Sequence, residues 1–81
     1  MPRKGERKHY LHRKSEVSPD YLLIDTAMNE ERARGRAAFH SRKGGDVFVS
    51  LTDATTAIAR YVDGQEVFTD DGEPWRLKGS N

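Results

Sequence analysis

The chain contains no cysteine among its 81 residues, so neither a disulfide nor a thiolate metal site can stabilise it. No apolar run approaches the roughly 18 residues typical of a membrane-spanning helix. No apolar segment follows the N-terminal charges, as it would in a secretory signal. Three histidines without a cysteine do not form a metal-ligand pattern. We therefore expect a cytoplasmic protein that does not contact membranes and binds no metal or other cofactor.

The sequence also lacks the motifs that enzymes use. It has no phosphate-binding loop, no nucleophile elbow and no dinucleotide fingerprint. The histidines lie in polar stretches, and no serine or carboxylate is spaced as their partner for nucleophilic catalysis. A folded part of about sixty residues leaves little room for a water-excluding pocket. The sequence therefore predicts a non-enzymatic protein with no catalytic residues.

Charge is divided unequally along the chain, although the net charge is only +1. Residues 1–16 carry six bases and two acids, whereas residues 17–81 carry eight bases and eleven acids. Such a division is typical of chains that contact nucleic acid or a membrane surface. Residues 1–19 hold too few apolar groups to offset the entropy of ordering, so we expect a flexible basic arm. The bases predicted to contact phosphates or a partner there are Arg3, Lys4, Arg7, Lys8, Arg13 and Lys14. The other interpretation of the arm is a solubilising tail.

A single small domain is expected over residues 20–78, followed by a frayed tail at 79–81. Alternating apolar residues predict strands at residues 20–28 and 47–51. Residues 65–78 resemble a β-hairpin around Asp71-Gly72, a pair that favours a tight turn. That pairing sets Phe68 opposite Trp75 and predicts that both join Leu77 in the core.

Residues 50–64 are predicted to form the one helix. Ser50 and Asp53 have the spacing of a capping box, and Gly64 lies where a left-handed cap would end the helix. The apolar residues expected to form one helical stripe are Ala54, Ala57, Ile58, Tyr61 and Val62.

Residues 29–43 fit two structures. Asn29 is a suitable N-cap, acids follow it, and Gly44 is a suitable stop, which favours a helix. Arg32, Arg34 and Arg36 alternate with small residues, which favours a strand. We predict a strand, and the helix remains the alternative. On a strand the three guanidiniums would share one face at about 7 Å spacing, and Arg42 and Lys43 in the next loop would extend this basic surface.

The predicted fold class is therefore α+β, with an antiparallel sheet of about five strands and one packed helix in the order β-β-β-α-β-β. The alternative order is β-α-β-α-β-β. The predicted function is that of a nucleic-acid-binding accessory protein whose arm and arginine-rich strand contact phosphates of DNA or RNA. The alternative is a small inhibitor or adaptor, of the phage or mobile-element type, that docks on a charged groove of a larger complex. A homodimer formed through the sheet edge is a further hypothesis.

Overall fold

The computed structural model describes residues 7–15, 17, 20–51, 56–69 and 75–77. Within these residues one helix packs on an antiparallel sheet of five to six strands, which confirms the predicted α+β class with one helix on a small sheet. The elements in chain order are β1 (His9–Lys14), β2 (Tyr21–Ala27), α1 (Glu30–Ser41), β3 (Val47–Ser50), β4 (Thr56–Val62), β5 (Gln65–Val67) and β6 (Trp75–Arg76).

The strands lie in the order β2-β1-β3-β4-β5, and β6 also pairs with β4. All of these pairs are antiparallel. β4 is long enough to pair with two strands along one edge. β5 lies against Arg60–Val62, and β6 lies against Thr56 and Ala57. The described parts of the predicted 65–78 hairpin thus pair with β4 and not with each other, so the predicted hairpin pairing is wrong over the described residues. Its turn, at Asp71-Gly72, lies outside the described residues.

β1 differs from the flexible arm predicted for residues 1–19. His9–Lys14 lies inside the sheet between β2 and β3, and the Leu11 side chain is completely buried. The few apolar groups of this segment are therefore sufficient to order it. Two neighbouring strands satisfy its backbone hydrogen bonds, and Leu11 enters the core. The structural domain begins before residue 20, and residues 1–6, 16 and 18–19 lie outside the described part.

The helix predicted for residues 50–64 is wrong over its described residues. Thr56–Val62 forms β4, in which Ala57, Ala59 and Tyr61 are buried in strict alternation. The β-branched Thr56, Ile58 and Val62 suit a strand, and the alternation of buried residues competes with the helical spacing in the same sequence. Asp63 and Gly64 follow with φ of 52° and 83°, the positive angles of a tight hairpin turn between β4 and β5. Residues 52–55 lie outside the described part.

The helix lies instead at residues 30–41, where we predicted a strand and kept the helix as the alternative. The Asn29 side chain caps it by accepting a 2.8 Å hydrogen bond from the Arg32 backbone N–H, and Glu30 and Glu31 occupy the positive end. Its buried face consists of Ala33, Ala37 and Ser41. Small residues at this spacing let the helix approach the sheet closely. A narrow apolar stripe is therefore sufficient to pack the helix on the sheet.

The two faces of the sheet carry different residues. The face under α1 forms the main core, in which Ala33 and Ala37 meet Leu11, Val47, Val49, Ala59 and Tyr61. The opposite face carries a second cluster of Phe48, Ala57 and Leu77, with Tyr21 and Trp75 packed against it. The core position predicted for Leu77 is confirmed, since it is 1% exposed. Phe68, predicted to join it, is 74% exposed instead.

Candidate nucleic-acid interface

The predicted arginine ladder does not exist, because Arg32, Arg34 and Arg36 lie on α1 and not on a strand. Arg34 is largely neutralised within the molecule. Its guanidinium donates to Glu30 at 2.8 Å and to Glu66 at 2.9 Å, and lies 3.5 Å from the Tyr61 hydroxyl. The Tyr61 hydroxyl accepts from Arg34 and, with the two carboxylates, raises the Arg34 pKa against the opposing effect of burial.

Arg36 is also engaged by its own chain. Its guanidinium donates to the Thr26 carbonyl at 2.5 Å and lies 3.5 Å from the Asp25 carboxylate. Arg32 is exposed, on the other hand, and within the described part of the chain its one hydrogen bond to a side chain is that of its backbone N–H to Asn29. Arg34 and Arg36 thus stabilise the contact between helix and sheet, and carboxylates of the same chain offset their charge.

Other predicted bases come together where the end of β1 meets the loop between α1 and β3. Arg13, Lys14 and Lys43 line one cleft of about 340 Å³. The other described residues of its lining are Ser15, Leu22, Gly44 and Gly45, and none of these described residues is an acid. A second hollow continues past Lys14 and Gly45 to Asp46. Residues some thirty positions apart in the sequence thus form a concentrated positive surface. We call the first hollow, lined by Arg13, Lys14 and Lys43, the basic cleft.

Backbone geometry builds the basic cleft. Gly44 and Gly45 have φ of 113° and 83°, which non-glycine residues rarely adopt, and they turn the chain from α1 into β3. A Cβ on Gly45 would meet the aliphatic part of Arg13 at 3.5 Å, an ordinary van der Waals distance, so the loop lies beside this side chain. The Lys14 backbone N–H donates to the Asp46 carbonyl at 3.2 Å. The loop and the strand end are therefore held together.

The nearby C-terminus of α1 would by itself repel an anion. Arg13 offsets it, because its guanidinium donates to the His40 carbonyl at 2.8 Å. Asp46, an acid that lines the second hollow, pairs with Arg60. The ion pairs seen among described residues use Arg34, Arg36, His40 and Arg60, and none of them uses a cleft base. The Lys43 ammonium lies 4.8 Å above the Phe39 ring, a weak attraction that leaves its charge near the surface.

The remaining predicted bases are dispersed. The Arg7 backbone N–H donates to the Met28 carbonyl at 2.9 Å, and the Lys8 ammonium lies 5.4 Å over the Tyr10 ring. The exposed Arg42 extends toward the turn at Gly64, where a Cβ would lie 2.6 Å from its Nε. Arg3 and Lys4 lie outside the described residues.

The sequence reasoning missed an aromatic surface on the sheet face opposite α1. The Tyr21 and Phe48 rings meet edge to face with centroids 5.5 Å apart, and Phe48 meets Trp75 in the same way at 6.3 Å. The Arg60 guanidinium lies 4.9 Å over the Trp75 ring. Alternation in residues 20–28 and 47–51 already placed Tyr21 and Phe48 away from their core-facing neighbours, but it could not show that β2 and β3 lie on either side of β1.

The chain matches no known family model, no curated protein and no solved structure. No group of three or more metal-ligating side chains is assembled among the described residues. Within that same part of the chain, no helix is long and apolar enough to cross a bilayer.

Proposed function

We propose that this protein is a non-enzymatic nucleic-acid-binding accessory protein that holds phosphates in the basic cleft. The observation that supports the proposal is the convergence of Arg13, Lys14 and Lys43 on one cleft, with no acid among the described residues that line it. The proposal keeps only part of the predicted interface, since Arg34 and Arg36 are paired within the chain.

Phosphate fits the chemistry of this cleft. The Arg13 guanidinium is fixed in position by its bond to His40, and the ammonium groups of Lys14 and Lys43 sit on flexible stems that can adapt to the phosphate oxygens. Contacts of this kind act on the backbone of DNA or RNA and carry no base information. Binding releases counterions, so affinity should fall steeply as salt rises.

The test compares two double variants that remove the same charge. Lys14→Gln with Lys43→Gln removes two bases from the cleft, and Arg32→Gln with Arg42→Gln removes two exposed bases outside its lining. Binding to a fluorescein-labelled oligonucleotide is followed by anisotropy at two salt concentrations. We expect the cleft variant to lose roughly tenfold in affinity and to show a shallower salt dependence, because fewer phosphates are neutralised.

The control variant should bind nearly as tightly as the unaltered protein. If the two variants lose affinity equally, the cleft has no special role and net charge alone drives binding. If the unaltered protein binds no oligonucleotide even at low salt, the proposed function is wrong.

A further inference from the structure

We infer that the aromatic surface beside the basic cleft is a stacking platform, so that the nucleic acid bound by this protein is single-stranded. The inference rests on the proposed function and names the class of ligand. It follows from the position of the surface, the exposure of its rings and the charges around them.

The cleft and the aromatic surface share a border. Lys14 lines the cleft, and Tyr21 is its register partner across the β1–β2 pair. From Tyr21 the rings continue through Phe48 to Trp75, with centroids 5.5 Å and then 6.3 Å apart. A strand whose phosphate occupies the cleft therefore reaches an aromatic ring with its adjoining base.

The rings differ in exposure in a way that suits a platform. Phe48 is 5% exposed and forms the base of the cluster, whereas Tyr21 and Trp75 are half-buried and keep part of their rings at the surface. α1 packs on the opposite face of the sheet and does not cover them. The rings are thus held in position before any ligand arrives, so that little ordering is required on binding.

Charge around the rings matches the same ligand. The Arg60 guanidinium lies over Trp75 and stiffens the ring, while its charge is balanced by Asp46. The positive charge beside the rings comes from the exposed Lys8 and Lys14. The Lys8 ammonium lies over the half-buried Tyr10 ring. Tyr10 is on the same face of the sheet as Phe48, because it pairs with Ser50, two positions from Phe48 along β3. Aromatic rings beside cationic groups are the arrangement that binds single strands with little sequence preference.

A duplex cannot use this platform, because its bases are stacked on one another and only their edges are accessible. The cleft alone would bind the phosphates of single and double strands alike. The aromatic surface therefore predicts a preference for single strands, of DNA or of RNA.

Trp75 is the only tryptophan of the chain, so its fluorescence reports directly on the platform. The full-length protein is titrated with a deoxyribonucleotide 12-mer, a ribonucleotide 12-mer and the corresponding DNA duplex. We expect both single strands to quench Trp75 and to bind roughly tenfold more tightly than the duplex.

Two variants test the platform separately from the cleft. Tyr21→Leu should weaken single-strand binding severalfold and leave duplex binding unchanged. Phe68→Leu, which removes an exposed ring elsewhere, should change neither. Urea unfolding checks that Tyr21→Leu is folded, and if it is not, the quenching and the strand preference of the unaltered protein decide the question.

Equal affinity for the single strands and the duplex, with unchanged Trp75 fluorescence, would overturn this inference and leave the proposed function intact. Absence of binding to all three would overturn both. Quenching of Trp75 by only one of the two single strands would support the platform and would identify the ligand as DNA or as RNA.

Discussion

His40 and Asp25 join the last turn of α1 to β2, with His40 Nε2 3.0 Å from Asp25 Oδ2. The other oxygen of the same carboxylate accepts the Thr26 backbone N–H at 2.8 Å. The hydrogen bond from His40 is the main cause of a lowered Asp25 pKa, with Thr26 and Arg36 adding to it and burial opposing it. This carboxylate therefore stabilises the helix–sheet contact only while it is ionised.

The first prediction is a loss of stability in acid that depends on Asp25. Because the Asp25 pKa is lowered, the ionised carboxylate contributes stability at pH values above its ordinary pKa of 3.8. That stability is lost as the pH falls through the folded-state pKa. Asp25→Asn should therefore unfold at lower urea than the unaltered protein near neutral pH, and the difference should shrink as the pH approaches about 2. Glu31→Gln, at an exposed helix position, is the control. A constant difference between the Asp25 variant and the unaltered protein across this range would contradict the assignment.

The second prediction separates the two carboxylates on Arg34. The Glu66 side chain is 25% exposed and also accepts the Tyr61 hydroxyl at 3.1 Å, whereas the Glu30 side chain is 57% exposed. Glu66→Gln should cost about 1 kcal/mol in the free energy of unfolding, and Glu30→Gln less than about 0.5 kcal/mol. Urea unfolding of both variants measures the difference. Equal costs would show that burial does not strengthen the Glu66 pair.

The third prediction concerns high pH. Burial is the first cause of a raised Tyr61 pKa, and the Glu66 carboxylate adds to it. Stability from the neutral phenol is fully present below the ordinary value of 10.0 and is lost as the pH rises through the folded-state pKa. Tyr61→Phe should lessen this alkaline loss, as measured by urea midpoints between about pH 8 and about pH 11. Tyr10→Phe is the matched control, and an identical alkaline loss in Tyr61→Phe would refute the prediction.

The fourth prediction tests the tie between α1 and the turn after β4. The buried Ser41 hydroxyl donates to the Ala38 carbonyl at 2.9 Å and accepts the Gly64 backbone N–H at 2.7 Å. Ser41→Ala should cost about 1–2 kcal/mol in the free energy of unfolding, because the Gly64 N–H is left without this acceptor. Ser15→Ala removes an exposed hydroxyl that accepts a backbone N–H at 3.2 Å, and should cost less than about 0.5 kcal/mol. Urea unfolding of the two variants measures both costs, and a Ser41 variant no less stable than the Ser15 variant would rule out the tie.

The fifth prediction tests whether β1 belongs to the fold. Leu11→Ala should cost about 2–5 kcal/mol, as expected for a fully buried leucine. Leu23→Ala, at a leucine that is 55% exposed on β2, should cost less than about 1 kcal/mol. Both costs are measured by urea unfolding. A Leu11 variant as stable as the unaltered protein would mean that residues 9–14 form the flexible arm predicted from the sequence.

Local signals located the strands β2 and β3 and the ends of α1, but not the identity of every element. Ala57 and Tyr61 satisfy a helical spacing and a strand alternation at once, and only the neighbouring strands β3 and β5 decide between them. Arg32, Arg34 and Arg36 alternate like strand residues, yet Asn29 and the acids after it cap a helix. In the first segment the pairing with neighbouring strands decided between the two patterns, and in the second the local cap is satisfied only by the helix.

The site was predictable residue by residue but not as an assembly. The sequence named Arg13, Lys14 and Lys43 as binding residues, since each is a base in a polar segment. It could not place them together, because their proximity depends on β1 lying beside β3 and on the glycine turn between α1 and β3. It also named Arg34 and Arg36 as binding residues, although ion pairs offset their charge on α1. The sequence could not show these pairs, because they form only in the folded chain.

The alanine face of α1 sets a limit on how this protein can vary. Because Ala33 and Ala37 present only methyl groups to Leu11, Val47 and Val49, the helix lies close to the sheet and leaves little room for a longer side chain on its own face. A leucine at Ala37 would have to lift the helix, stretching the Asp25–His40 and Ser41–Gly64 hydrogen bonds together. Substitutions that enlarge the helix face should therefore be rarer among functional variants than substitutions on the outer side of α1, where a methyl group added at Gly35 would meet no atom within 4 Å.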